Sequence, residues 1–186
     1  MATRGGSPTT YVALLRGINV GGHRRFPMDV LRRIVGSLGH RDIVTYIQSG
    51  NVVFDSPGAD GRAIADALEV AILDELGFGV DVVVRSAGEM AAVAAANPFL
   101  AQGADSRALH VAFARDPIPK GDGSIDGRFA PEGFSVAPGV IYLHTPGGLG
   151  TTRLTDAFLR RVAGSVVTTR NWNTVMKLTE LAHRRP

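Results

Sequence analysis

The sequence predicts an α+β fold: two ferredoxin-like βαββαβ repeats packed together and followed by a C-terminal helix. Three observations predict it. Short apolar runs alternate with helical periodicity in the order strand, helix, strand, strand, helix, strand. The same order recurs, less faithfully, in the second half. In each half only a Ser-Gly or Pro-Gly link separates the two middle strands, as in a tight hairpin.

In chain order, Tyr11 to Leu15 reads as a strand, and Met28, Leu31, Ile34, Val35 and Leu38 recur at helical spacing before Gly39. Val44 to Gln48 and Asn51 to Phe54 are strands joined by Ser49-Gly50. A second helix places Ile64, Leu68, Ala71, Ile72 and Leu76 on one face, and Val80 to Arg85 closes the first repeat as a strand. A linking helix through Met90 and Val93 ends near Asn97-Pro98. Leu109 to Ala114 then opens the second repeat. Phe134 to Ala137 and Val140 to His144 form a hairpin about Pro138-Gly139, and Leu154, Ala157, Phe158 and Val162 mark a helix. Val166 to Thr169 is the last strand, and Trp172, Val175, Leu178 and Leu181 share one face of the final helix. Pro117 to Pro131 should supply the second repeat's first helix, but its Gly and Pro content allows no more than a turn or two, so it reads as a degenerate, mobile connection. The implied organisation is a disordered tail over 1–10, a first repeat with the linking helix over 11–96, and a second repeat with the C-terminal helix over 97–186. The nearly continuous apolar runs YVALL, VDVVV and GVIYL imply that both sheet faces are covered, the second repeat serving as the cover.

Composition bounds the function. The chain has 186 residues, 45% of them apolar, enough for a core. It has no cysteine, which excludes disulfides, thiol chemistry and Cys-ligated zinc. No apolar run is long enough to span a bilayer and the first ten residues lack a secretory signal's apolar core, so the expected location is the cytoplasm, with no membrane partner. Net charge is only +3, although the pI is near 9.8. Arg16, His23, Arg24, Arg25, Arg32, Arg33 and Arg41 crowd the first quarter, and acidic residues from Asp60 to Asp81 follow, a pattern of two solvated helix faces.

Three segments stand out: YVALLRGINVGG at Tyr11 to Gly22, TYIQSGNVVF at Thr45 to Phe54, and TTRNWNTVMKL at Thr168 to Leu178. Together they resemble the bacterial family known as domain of unknown function 1697, with LLRGINVGG, TYIQSGNVVF and TTRNWNT in that order. The resemblance spans roughly Thr10 to Ala182 and implies no assigned activity. Family members often carry a lysine after Gly-Gly, where this chain has His23 and Arg24.

The predicted topology brings the first strand's exit loop beside the middle hairpin, because the first two strands run parallel. Arg16, Asn19, Gly21 and Gly22 are thereby expected near Gln48, Ser49 and Asn51, where glycine amides and an arginine suit an anion. The alternative is that the glycines turn the chain and that Asn19 and Asn51 cap turns. At the opposite end of the second repeat, His110 and His144 are expected on neighbouring strands, as a satisfied pair or a catalytic couple. The glycines and hydroxyls from Thr145 to Arg153 precede a helix, and Arg170, Asn171, Trp172 and Asn173 open the last one. Asn171 reads equally as a cap, and Trp172 as a packed or a stacking ring. Lysine and Ser/Thr are missing where a phosphate loop needs them, and no spacing suits a metal, so neither a cofactor nor a metal is expected. The leading expectation is a protein, or an enzyme, that holds a small phosphate- or carboxylate-bearing ligand. A nucleic-acid binder and a ligand-free regulatory protein are the alternatives, and the sequence specifies no oligomeric state.

Overall fold

The computed structural model describes residues 8–19, 26–58, 60–119, 121 and 123–184. They form a mixed α+β fold with two antiparallel sheets, divided between two compact units: Met1–Met90 with Leu178–Pro186, and Ala91–Lys177.

The first unit holds β1 (Thr9–Leu15), α1 (Met28–Ser37), β2 (Arg41–Tyr46), β3 (Asn51–Ser56), α2 (Gly61–Leu76) and β4 (Val82–Ser86), and α3 (Ala87–Ala95) begins in it. Its strands lie in the order β2-β3-β1-β4, each neighbouring pair antiparallel. Alternate residues of β1 serve different faces. Tyr11, Ala13 and Leu15 join Val52, Phe54, Val82 and Val84 in a core closed by Met28, Leu31, Ile34 and Val35 of α1 and Ile64, Leu68 and Ile72 of α2. Val12, Leu14, Val53 and Val83, on the other face, are buried as well. α1 lies over β2 and beside α2, and α2 lies against β4. Asp60 caps α2 through the Ala63 amide at 2.9 Å. β2 is an edge strand with one extra residue between Arg41 and Val44, where Asp42 adopts a left-handed φ of 51°.

The hairpin between β2 and β3 differs from the expected two-residue link. The strands stop at Tyr46 and Asn51, so four residues, 47–50, make the turn. The cause is Asn51: its buried amide donates to Tyr46 O at 3.1 Å and Ser49 Oγ at 3.0 Å, closing the turn from the side. Gly50 takes φ 78° against Ile18 and Leu15, with no room for a Cβ.

The second unit contains α4 (Pro98–Ala101), a 3₁₀ turn at Ser106–Ala108, β5 (Leu109–Ala114), β6 (Ile125–Asp126), β7 (Gly133–Ala137), β8 (Val140–His144), α5 (Asp156–Ala163) and β9 (Val167–Asn171), and α6 (Trp172–His183) begins in it. The strand order is β6-β7-β8-β5-β9, again antiparallel throughout. α5 covers β5, β8 and β9 and buries Leu159 and Ala163, while Ala157 is exposed.

The expected remnant helix in the second half is replaced. Among the described residues between β5 and β7 there is no helix; β6 instead pairs along the outside of β7. Prolines remove helical donors and glycines make helix formation costly, so this backbone takes its hydrogen bonds from the sheet edge. The Gly123 amide donates to Val136 O at 3.0 Å, Ser135 Oγ donates to Gly123 O at 2.8 Å, and Ile118 is buried.

Candidate functional site

At one end of the first sheet, the β1–α1 connection, the start of α1 and the β2–β3 turn enclose a groove of about 570 Å³, a volume in the range of ligand pockets. Asn19, Pro27, Asp29, Arg32, Thr45, Ile47 and Gln48 are among its lining residues. Pro27 occupies the cap position of α1 and offers no side-chain acceptor, so the first-turn N–H groups receive no side-chain cap from that position. Arg32 donates to Thr45 Oγ1 at 2.7 Å, which fixes its guanidinium at the groove wall. Asn19, at φ 54°, is a staple rather than a free amide: it donates to Phe26 O at 3.0 Å and Gln48 O at 2.6 Å and accepts from the Phe26 amide at 2.8 Å. Gly21 and Gly22 lie outside the described residues.

Arg16 does not line this groove. It borders another, of about 470 Å³, with Glu69, Val70, Leu73 and Asp81, and pairs with Asp81 at 3.5 Å. Ser49 accepts from Asn51, and Asn51 is buried, so both belong to the turn. Of the residues expected at this end, the structure therefore gathers Asn19 and Gln48 in one groove and sets Arg16 in another.

In the second unit His110 and His144 do not face each other. The register pairs Leu109 with His144 and His110 with Leu143, which puts the two rings on opposite faces. His110 Nδ1 lies 3.1 Å from Thr145 Oγ1, and burial lowers its pKa, opposed by a hydrogen bond with the Ala108 backbone. His144 packs on Phe99 with ring centroids 5.6 Å apart. Arg153 clamps the turn before β7 by donating to the Phe129 and Ala130 carbonyls, with its guanidinium 5.3 Å from the Phe129 ring centroid. Asn171 accepts from the Thr174 amide at 2.8 Å and so caps α6. Trp172 is buried, which withholds its ring from stacking on a ligand, and Asn173 is exposed. Burial lowers the Arg170 pKa to about 10, and Arg170 donates to Thr169 O at 3.0 Å. Among the described residues no cluster of three or more His, Asp or Glu is arranged to hold a metal, and no helix is long and apolar enough to cross a membrane.

Comparison with known proteins decides the family. The description "Protein of unknown function (DUF1697)" covers the family matched by residues 9–142. The chain belongs to this family. The third motif, from Thr168, lies beyond the matched stretch. A solved structure of a conserved bacterial protein from Streptococcus pneumoniae is similar at a TM-score of 0.71 and 21% identity, over 96% of this chain and 100% of that one, a likeness of fold. No curated protein matches.

In this member of the family the sequence reading missed a matched pair. Arg85 in β4 stands opposite Val12, and Arg170 in β9 opposite Val111, each on the sheet face away from that unit's covering helices. Each donates to the carbonyl of the residue before it, Val84 or Thr169, and burial lowers the pKa of both. The next residue, Ser86 or Asn171, accepts from an amide three positions on and starts a helix without a loop. The signal was present as VVVRSAGE beside VTTRNWNT.

Proposed function

We propose that the groove beside α1 binds a small ligand carrying a phosphate or carboxylate. The observation that carries this reading is the placement of Arg32, held by Thr45, on the same groove as first-turn amides that Pro27 leaves without a side-chain cap. Gln48 adds an exposed amide. Asp29, on the same wall, suits a ligand with a hydroxyl or ammonium group beside its anion and repels an extended polyanion, which favours a small molecule over nucleic acid. Among the described lining residues no nucleophile and base are paired, and the reading is one of binding.

Isothermal titration with inorganic phosphate and a panel of small phosphorylated and carboxylated compounds tests it. Arg32→Ala is expected to weaken binding about tenfold or more, the scale of a charge-assisted hydrogen bond. Arg16→Ala, at the other groove, is expected to bind as wild type does. Equal affinity in wild type and Arg32→Ala would defeat the proposal.

We also read the two units as ferredoxin-like repeats, the second having exchanged its first helix for β6. The matching antiparallel orders β2-β3-β1-β4 and β7-β8-β5-β9 and the equivalence of Arg85 and Arg170 support this duplication.

A further inference from the structure

In the first unit α1 lies over the edge strand β2, but among the described residues no helix lies between β5 and β7 in the second, and what remains there is a groove of about 650 Å³. Its apolar walls are Phe134 and Val136 of β7 and Phe158 and Val162 of α5. The corresponding surface in the first unit is filled by aliphatic side chains of a helix, Met28, Leu31, Ile34 and Val35. Asp126 and Arg128 line it as well, the carboxylate taken by the guanidinium, while Arg161, one residue before Val162 in α5, is exposed and forms no ion pair among the described residues.

Elsewhere the chain exposes a helix face that matches this groove. α2 carries apolar residues on both sides: Ile64, Ala65, Leu68 and Ile72 are buried, yet Ala63, Ala67, Val70 and Leu73 face solvent among the charged Arg62, Asp66 and Asp74. Val70 is 60% exposed and Leu73 48%. Asp74, beside Leu73, forms no ion pair among the described residues either.

We infer that the outer face of α2 from one copy docks in the β7–α5 groove of a second copy, with Val70 and Leu73 against Phe134, Phe158 and Val162, and Asp74 near Arg161. This contact joins two different surfaces, so association is head to tail and continues beyond a dimer unless the rotation closes a ring. It is independent of ligand binding beside α1.

Sedimentation velocity of the full chain over a concentration series tests the inference, with circular dichroism melts to establish that each variant is folded. Wild type is expected to gain mass with concentration, and V70D/L73D, at exposed positions, to stay monomeric. D74R and R161E are each expected to weaken association about 2- to 5-fold, the scale of an exposed ion pair. The D74R/R161E double variant should recover it, because reversed charges meet again. Mixing V70D/L73D with V162R should give a one-to-one pair that grows no further, since each retains one intact face. A wild type that is monomeric at every concentration, association unchanged in V70D/L73D, or no recovery in the double charge reversal would each overturn the inference.

Discussion

Two histidines give the folded protein a response to pH just below neutrality. His40 packs at a tilt on Phe54 with ring centroids 4.7 Å apart, its Nδ1 is buried without a partner among the described residues, and burial lowers its pKa below the ordinary 6.5. Burial lowers that of His110 as well. Burial disfavours the charged form of both rings in the folded protein, whereas the unfolded chain takes up protons at the ordinary value. The stability this provides is complete above about pH 6.5 and is lost as pH falls through that value toward the folded pKa. Urea melts at pH 7.5 and pH 5.5 should show lower stability at the acidic value, and His40→Gln should reduce that difference. At the same scale, Asn19 shows what residue type alone conceals. An asparagine beside glycines is equally a ligand contact or a turn former, and three hydrogen bonds to Phe26 and Gln48 assign it to the loop. Arg32 had the opposite problem: it read as part of a solvated helix face because nothing local predicts a bond to Thr45 on the next strand.

Among the elements, the segment before β7 departs most from expectation, and its glycines explain how it is seated. A Cβ on Gly121 would lie 2.5 Å from Val136 O and 2.7 Å from the carbonyl carbon, backbone atoms of a strand paired on both sides. Gly121→Ala is therefore expected to destabilise the protein by roughly 1–3 kcal/mol, the usual cost of overpacking. Gly127→Ala, where a Cβ meets open space, should be close to neutral in the same denaturant titration. The strands and helices themselves were largely legible, since unbroken apolar runs mark β5 and β8, buried on both faces, and the 3.6 period marks the inner faces of α1 and α2. Local composition showed that Gly and Pro between β5 and β7 oppose a helix. It could not show that the same backbone would find a sheet edge, because that partner lies about ten residues on in the chain.

Across the whole molecule, strand order depends on pairings between residues far apart in sequence, which periodicity does not encode. The sequence placed both histidines near neighbouring strand ends, but facing side chains require the register, and a shift of one residue turns a couple into two rings on opposite faces. The same dependence separated Arg16 from Asn19: Asp81, at the start of β4, draws the arginine toward α2. The paired arginines were hidden differently. They became visible only when β4 and β9 were seen to occupy equivalent places beside β1 and β5.

The extra residue in β2 bears on colloidal behaviour. β2 ends the first sheet, and Val44 and Ile47 leave apolar surface at that rim, so an unbroken β2 would offer an incoming strand a regular row of amides and carbonyls. Asp42, left-handed and flanked by Arg41, interrupts that row with a kink and two charges. Deleting Asp42 would restore one-to-one pairing between Arg41 and Val44 and remove the interruption. Incubated just below its melting transition, the deletion variant should form thioflavin-binding aggregates sooner than wild type; equal lag times would show that the kink offers no protection against misassembly.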